Sequence, residues 1–397
     1  MKILHIVYQS LPNISGSSIR TRDILMSQKE IGLNPVVLSS PFQNGLSKSE
    51  TDIIHGVKHY RSYDNKPQFL VTETKTPLYK RIIKALAIIL FYKKAKKVVQ
   101  TEKPDIIHAH ATFFCAIVAI ALGKQFNIPV CYEVRSLWEE REKKSATSFI
   151  AKIQPKIIYF LETKCMKKAD KVIVINKNLK KEILSRGVRN IEIIPNAVNI
   201  GLLKNSELAN PREELTFGYI GSISPIEGLD LIVKVWSKLE IEGLKNKFHV
   251  FGNGSFLNEL KALTVSLGVK QIIFHGNIDP NQVFKAFNQV DVIINPRTKS
   301  RISDTVTPLK PLEAMAYKKL VIASDVGGMK ELVQDQKTGL LFKSGSINEL
   351  ENIVLSVIKN GLNQQIINCA YNNVCEEKSW TSNAQKYNVI YEKLLNS

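Results

Sequence analysis

Residues 291–313, DVIINPRTKSRISDTVTPLKPLE, gather more groups capable of chemistry than any other stretch of the chain. The apolar run Asp291–Asn295 reads as a buried strand that Pro296 ends, which puts Arg297 and Arg301 in the loop past its carboxyl end. Thr307 followed by Pro308 predicts a helix start, a capping hydroxyl before the residue favoured at the first helical position, with Lys310 in the first turn. Two forked guanidiniums, an ammonium and free helix amides suit an anion as large as a diphosphate. Glu313 follows Lys310 by one turn on the same face, and its two oxygens could accept both hydroxyls of a ribose. The competing reading is of solvated loop arginines with Glu313 in a surface ion pair.

The first half offers a second set. Gly16 and Ser17 stand between the first strand and a helix, where a tight turn lets backbone amides approach phosphate or sugar; a turn without a ligand is the alternative. Arg20 and Arg22 fall in the first turns of that helix, where cations oppose the helix dipole unless an anion is bound. His108 and His110 alternate on a strand end and share a face, but a metal would need a third ligand that the sequence does not place, so no metal is expected. Arg135 cannot act as a base; it suits a phosphate or an acceptor group, with Glu133 as an acceptor ligand or as its ion-pair partner. Glu139, Glu140 and Glu142 read as a solvated loop. Gly252 and Gly254 form a G-x-G pair that a tight turn alone would explain.

These residues need a scaffold. At 397 residues the chain is long enough for two domains, and its 44% apolar, 23% charged composition is that of a globular protein. Short apolar runs alternate with amphipathic stretches (KILHIV, SSIRTRDILMSQKEIG, NPVVLSS; PDIIHAH, TFFCAIVAIALGKQF, PVCYEV), which predicts parallel strands with crossover helices. After a polar stretch at 205–214 the pattern restarts with LTFGYIG. The expected architecture is therefore α/β, with two doubly wound domains over residues 1–195 and 196–375. A helix within 376–397 should return to the first domain with Tyr387, Ile390, Tyr391 and Leu394 on one face. Two such sheets form a cleft at the carboxyl ends of their strands, where ligands bind.

Placed in order, LPNISGSSIRTRDIL, PDIIHAH, IIPNAVN, FGYIGSISPIEGLD, FHVFGNGSFLNELKALTVSLGV, IIFHGNI, PLKPLEAMAYKKLVIASDVGGMKELV and TGLLF resemble retaining glycosyltransferases of family 4 along nearly the whole chain. The form of these motifs is most similar to the branch found beside exopolysaccharide and exosortase genes. The resemblance implies the GT-B plan of two Rossmann-like domains and transfer of a sugar with retention from a nucleotide-diphosphate sugar to a saccharide or lipid-linked acceptor, in cell-surface glycan synthesis. It implies Glu313 as the ribose ligand and Gly16, Ser17, Gly221, Gly252, Ile278, Thr307 and Leu309 as donor contacts. Arg20, His110 and Glu133 fall on its acceptor side. Three positions depart from the family pattern. Thr305, with Asp304 beside it, stands where the first motif glutamate belongs, while Ser222 and Glu227 stand where the family has a phosphate-binding Arg and Lys. Arg297, Arg301 and Lys310 are expected to supply the missing positive charge.

Residues 1–200 hold 33 Lys and Arg against 16 Asp and Glu, and residues 201–397 hold 22 against 20. The halves thus carry +17 and +2, which points to a polyanionic partner for the first alone, an acidic membrane surface or a nucleic acid. Aromatic stacking platforms are not interleaved with the basic residues, which argues against nucleic acid. The segment Lys75–Lys97 reads as an amphipathic helix that either lies on an anionic bilayer or packs Ile82, Leu86, Ile89 and Leu90 into the core. Five cysteines without paired spacing suit a reducing compartment, and Ile3–Val7 suits a buried strand rather than a leader, so a cytoplasmic location is expected, peripheral to the inner face of the membrane. Beyond the nucleotide sugar no cofactor is expected. The rival functions are a nucleotide-sugar epimerase of the same fold and a catalytically weak scaffold.

Overall fold

The computed structural model describes residues 1–13, 15–43, 49–62, 78–143, 149–199, 214–279 and 282–396. The polar stretch at 205–214 lies outside them except for its last residue, as do Lys75 and the side chains of Ile82 and Glu142. Two compact units emerge: Met1–Pro195 with Trp380–Ser397, and Asn196–Ser379.

In chain order the first unit comprises β1 (Lys2–Val7), α1 (Gly16–Glu30), β2 (Asn34–Ser39), β3 (Thr51–Ile54), β4 (Val57–Arg61), α2 (Leu78–Glu102), β5 (Ile106–His110), α3 (Phe113–Phe126), β6 (Val130–Val134), α4 (Trp138–Lys143), α5 (Phe149–Lys168), β7 (Lys171–Val174), α6 (Lys177–Ser185) and β8 (Ile191–Ile193). Its sheet runs β3-β4-β2-β1-β5-β6-β7-β8. All neighbours are parallel except β3 and β4, a hairpin that turns through His55 and Gly56, both at positive φ. Strands β5 and β6 are buried at every residue, as a sheet covered on both faces requires.

The second unit comprises β9 (Phe217–Ile220), α7 (Leu229–Ile241), β10 (Phe248–Phe251), α8 (Leu257–Ser266), β11 (Ile272–Gly276), α9 (Val283–Phe287), β12 (Val292–Asn295), α10 (Arg301–Thr305), α11 (Lys310–Ala316), β13 (Leu320–Ser324), α12 (Gly327–Lys330), β14 (Leu340–Phe342), α13 (Ile347–Asn360) and α14 (Gln364–Glu377). Its parallel sheet runs β11-β10-β9-β12-β13-β14. One core gathers round Trp236, Phe217 and Phe248 on one face, and another round Phe287, Leu312 and Met329 on the opposite face. Both units are thus the Rossmann-like α/β folds expected.

The last helix, α15 (Trp380–Leu395), packs on α1 within the first unit and buries Tyr387, Ile390 and Tyr391. Leu394 is only half-buried.

Two local expectations are overturned. Leu86, Ile89 and Leu90 of α2 do not pack into the core: they are 53%, 53% and 64% exposed, because the helix already buries Phe91, Ala95, Val98 and Val99 on its other side. Nor does a helix begin at Thr307 and Pro308. Asn196 Nδ2 donates to the Thr307 carbonyl at 2.6 Å, and α11 starts at Lys310 with no side-chain cap. Ser300 and Ser303 instead form a capping box that starts α10, so Arg301 opens a short helix rather than lying in a loop.

Candidate active site

In the second unit the parallel strands end in glycines that allow close approach. A Cβ on Gly252 would meet the Gly221 carbonyl oxygen at 1.8 Å, and one on Gly221 would meet Lys310 Cε at 2.3 Å. Lys310 therefore lies across the carboxyl end of β9, where a side chain at 221 would exclude it. Its ammonium donates to the Tyr219 hydroxyl, sits 4.5 Å over that ring, and pairs with Glu227 Oε2 at 3.0 Å. The Tyr219 hydroxyl in turn donates to the Ser222 carbonyl at 2.7 Å, which fixes the loop after β9.

Arg297 reaches the same carboxylate, with Nε 3.6 Å from Glu227 Oε2, while its Nη1 donates to the Val306 carbonyl at 3.2 Å. Glu227 is 6% exposed and Arg297 is 6% exposed, so two cations and one anion share a nearly dry pocket at the ends of β9 and β12. Burial lowers the Lys310 pKa, and Glu227 acts against that fall. Both amide atoms of Asn295, the last residue of β12, are buried without a hydrogen-bond partner. Unsatisfied atoms of this kind in a folded interior call for a missing partner.

The remaining sequence-derived positions of this unit spread around that cluster. Glu313 is half-buried on α11, Ile278 and Leu309 are half-buried, and Ser222 and Arg301 are exposed. Thr305 is 7% exposed and turns its hydroxyl onto the Arg301 carbonyl at 2.6 Å. Asp304 accepts the Gly327 amide at 2.8 Å and so anchors the glycine turn. At the two positions that stand for the first motif glutamate, Thr305 thus bonds its own helix and Asp304 holds the loop at Gly327. Glu227, read as a lost positive charge, proves to be the partner of the two cations meant to replace it.

In the first unit Gly16 is not in a strained turn. It is the first residue of α1, behind the Ser15 cap, and a Cβ there would meet nothing within 4 Å. The fold does not demand glycine at this exposed position, which leaves the space outside it as a reason for glycine. Ser17 follows, and Arg135 Nη1 donates to its carbonyl at 2.7 Å and its hydroxyl at 3.0 Å.

The other polar candidates of this unit turn inward. Arg135 Nε donates to Glu133 at 2.7 Å and its Nη2 to His110 Nδ1 at 2.7 Å. Arg20 donates to Glu133 at 3.0 Å, to the Pro195 and Ile194 carbonyls at 3.1 and 3.0 Å, and to the Tyr387 hydroxyl at 3.2 Å. Tyr387 donates to the second Glu133 oxygen. Arg135, Arg20, His110 and Glu133 are 7%, 2%, 1% and 0% exposed. Of the two roles expected for Glu133, that of ion-pair partner to Arg135 is the one seen, and Arg20, Arg135 and His110, expected at phosphate or acceptor, are instead buried in its network with Ser17, Thr21, the Ile194 and Pro195 carbonyls and Tyr387 of α15. Glu139, expected on a solvated loop, is also buried and pairs with Arg186 at 2.5 Å.

The third histidine that the sequence could not place is His5. Its ring and those of His108 and His110 bring possible ligand atoms within 4.8 Å of one another. A guanidinium only donates, so His110 Nδ1 accepts from Arg135 and the His110 proton sits on Nε2. That proton faces His5 Nδ1 at 2.8 Å; His5 Nε2 then donates to Gln28 at 2.9 Å, and Gln28 to Tyr391 at 3.1 Å, whose hydroxyl meets His108 Nδ1 at 2.7 Å. The result is a neutral relay. Metal-bound histidines donate their outer N–H to an acceptor, and Arg135 reverses that arrangement at His110. Burial lowers His5 and His108 well below the usual imidazole value, and His110 to about 4. Pattern reasoning missed Gln28 and Tyr219 and read Tyr391 only as a packing residue, since uncharged side chains carry no signal of hydrogen-bond partnership.

Comparison with known proteins follows the same division. Residues 31–202 match the model of Glycosyltransferase Family 4, and residues 203–373 match Glycosyl transferases group 1. An uncharacterized glycosyltransferase, MJ1178, of Methanocaldococcus jannaschii is 23% identical over 88% of this chain and 92% of its own length. The sulfoquinovosyl transferase SQD2 of Arabidopsis thaliana is 23% identical over 72% of this chain and 56% of its own. Among solved structures, sucrose-phosphate synthase from Thermosynechococcus elongatus superposes with a TM-score of 0.79 at 18% identity, covering 100% of this chain and 99% of that one. Anabaena Alr3699/HepE in complex with UDP and glucose superposes with a TM-score of 0.74 at 17% identity, covering 99% and 100%. Two adjoining family regions that together match residues 31–373, on a pair of Rossmann-like sheets, make this chain a glycosyltransferase of the GT-B type.

Proposed function

We propose that the chain transfers a hexosyl-type sugar, with retention and without a metal, from a nucleotide-diphosphate sugar to a saccharide or lipid-linked acceptor in cell-surface glycan synthesis. We place it in the exopolysaccharide- and exosortase-associated branch, at the inner face of the membrane. One observation carries the reading: Lys310 and Arg297 converge on the buried Glu227 at the carboxyl ends of β9 and β12, 3.0 and 3.6 Å from one oxygen. A pocket that holds two cations on a single carboxylate keeps a net positive charge in a poorly solvated place, which is where a departing diphosphate is best stabilised. The fold likeness to a protein solved with UDP and glucose supports a nucleotide sugar as donor.

In this reading Lys310 and Arg297 take the negative charge that develops on the leaving phosphate, and Glu227 favours the charged form of Lys310 and aims both cations before the donor arrives. Glu313 holds the ribose. Gly16 and Ser17 offer open backbone to the ligand, and Arg135 acts through them by fixing the Ser17 carbonyl. Retention proceeds by attack of the acceptor hydroxyl on the face that the phosphate leaves, with that phosphate taking the proton, so no protein nucleophile is invoked. The excess of basic residues in the first 200 suits a membrane of acidic lipids.

Thermal stabilisation by a panel of nucleotide sugars identifies the donor, and turnover by Lys310→Ala and Arg297→Ala tests the site. Both variants are expected to fold and to lose turnover; wild-type turnover in either refutes the assignment. Glu227 itself favours a second reading, a binder that turns over slowly because its pocket already holds an anion. Faster turnover by Glu227→Gln than by the wild type would select it.

A further inference from the structure

We infer that the face of the first unit built by α2, α3 and α5 docks on an anionic lipid bilayer, with an apolar band entering the headgroup layer and a lysine band meeting the lipid phosphates. The inference rests on the reading above for the acceptor, which it narrows to one held in that bilayer, but not for the face itself.

The three helices are neighbours, α3 touching both others, and each links parallel strands in the same direction across the sheet. Right-handed crossovers therefore put all three on one side, running antiparallel to the strands. Each buries one stripe: Phe91, Ala95 and Val98 on α2, Phe114, Val118 and Leu122 on α3, Ile158, Cys165 and Met166 on α5. A soluble helix of this sort carries polar residues on the opposite side. Among the described side chains these do so chiefly in their C-terminal parts, with Lys156 of α5 the exposed basic residue beside the apolar stripe.

On α2 the outer stripe runs Leu86, Ile89 and Leu90, then Lys93 and Lys97, at spacings of three and four. On α5 it runs Ile157 and Phe160, 52% and 62% exposed, then Lys164 and Lys168. On α3, shorter and between them, it runs Ile117, then Lys124. The same order on three parallel helices makes two bands across one face rather than scattered exposed residues. Isolated exposed leucines are ordinary, but contiguous ones mark a contact surface.

Charge selects the occupant. Among the described side chains of the three helices the only carboxylates are Glu162, fully buried, and Glu102, which pairs with Lys2 and Lys58. The outward charge is thus wholly positive, which suits acidic lipid and repels a second copy of the same lysine-bearing face. No helix among the described residues is long and apolar enough to cross a membrane, so the contact is interfacial. The apolar band lies toward the helix N-termini, and hence toward the carboxyl edge of the sheet, where β1 leads into Ser15, Gly16 and Ser17. Docking would bring that edge to the lipid surface.

The test is flotation of the full chain with vesicles of phosphatidylglycerol and phosphatidylcholine, against vesicles of phosphatidylcholine alone. The wild type is expected to float with the acidic vesicles and to be released by high salt. The double variant Leu90→Asp with Phe160→Asp should reduce binding about tenfold or more, and Lys93→Gln with Lys97→Gln and Lys164→Gln should remove the preference for acidic lipid. All these side chains are exposed, so melting temperature and nucleotide-induced stabilisation should stay at wild-type values; the latter separates failure here from failure of the donor site. Equal flotation of wild type and Asp variant overturns the inference, as does no flotation at all. A wild-type dimer in light scattering that the Asp variant dissociates also overturns it, by showing the face to be a protein interface.

Discussion

Replacing Glu133 by glutamine should unfold the first unit or bring it close to unfolding. The carboxylate is 0% exposed, and one of its oxygens takes both Arg20 Nε at 3.0 Å and Arg135 Nε at 2.7 Å. Two unit charges about 4 Å apart attract by roughly 4 kcal/mol in a protein-like dielectric. Removing one partner of a buried pair costs about 3–5 kcal/mol, because the other charge is stranded without water. Here a single carboxylate serves two guanidiniums, so a loss of about 5 kcal/mol or more is expected, against a total stability of roughly 5–15 kcal/mol for a typical domain. Glutamine preserves the volume, which isolates the charge. Tyr387→Phe is the comparison: it removes one hydrogen bond to the same carboxylate, at about 1.5–3 kcal/mol. Urea unfolding followed by circular dichroism measures both. A Glu133→Gln protein that loses under about 1 kcal/mol, or no more than Tyr387→Phe, refutes the view of Glu133 as the buried counter-charge. The pH dependence has the matching sign. Burial pushes the Glu133 carboxyl up, but Arg20 and Arg135 together hold it well below the usual 4.5. A carboxyl depressed in the folded state contributes stability above its unfolded value and loses it as pH falls through the folded one.

Acid should weaken the fold earlier than that, through the histidine relay. His110 lies at about 4 against an ordinary 6.5, so the unfolded chain binds a proton across that window that the folded chain does not, and about 3 kcal/mol is lost between pH 6.5 and 4. His5 and His108 act in the same direction, while Glu162, pushed up to about 8, opposes them with one proton. A urea midpoint no lower at pH 5 than at pH 7 contradicts the relay. Gly252→Ala should cost several kcal/mol, since its Cβ would lie 1.8 Å from the Gly221 oxygen at a φ of +141, and a wild-type melting temperature would refute that packing. Gly16→Leu should leave stability unchanged or raise it by up to about 1 kcal/mol, because the site is open and helical, yet reduce turnover about tenfold or more. Unimpaired turnover would show that nothing outside the chain needs that space.

The fold was legible where burial is two-sided. Runs such as DIIHAH and VCYEV admit no reading but a covered parallel strand, and their alternation with longer helical stretches dictates the rest. The β3–β4 hairpin escaped notice although His55–Gly56 between TDII and VKHYR is a turn signal. The second-unit site was legible in part. Arg297 and Lys310 announce themselves by charge at a strand end, but Glu227 looks like a loss until the chain folds it between them. Arg135 was misread for the opposite reason, since a lone arginine after a strand looks like a ligand for substrate. The pair Glu133 and Arg135, two apart on one strand face, carried the signal that the charge is answered internally. That Arg20 rather than Arg22 turns inward depends on Glu133 and Tyr387, 113 and 367 residues along the chain from it, and no local pattern records that.

The central claim, that Lys310 and Arg297 receive the donor's diphosphate, is tested most directly by calorimetric titration of the full chain with the nucleoside diphosphate that stabilises it best. The wild type should bind, and Lys310→Ala, folded by circular dichroism, should bind at least about tenfold more weakly, as expected for loss of one charge-assisted contact. Equal affinity in the two proteins would contradict it.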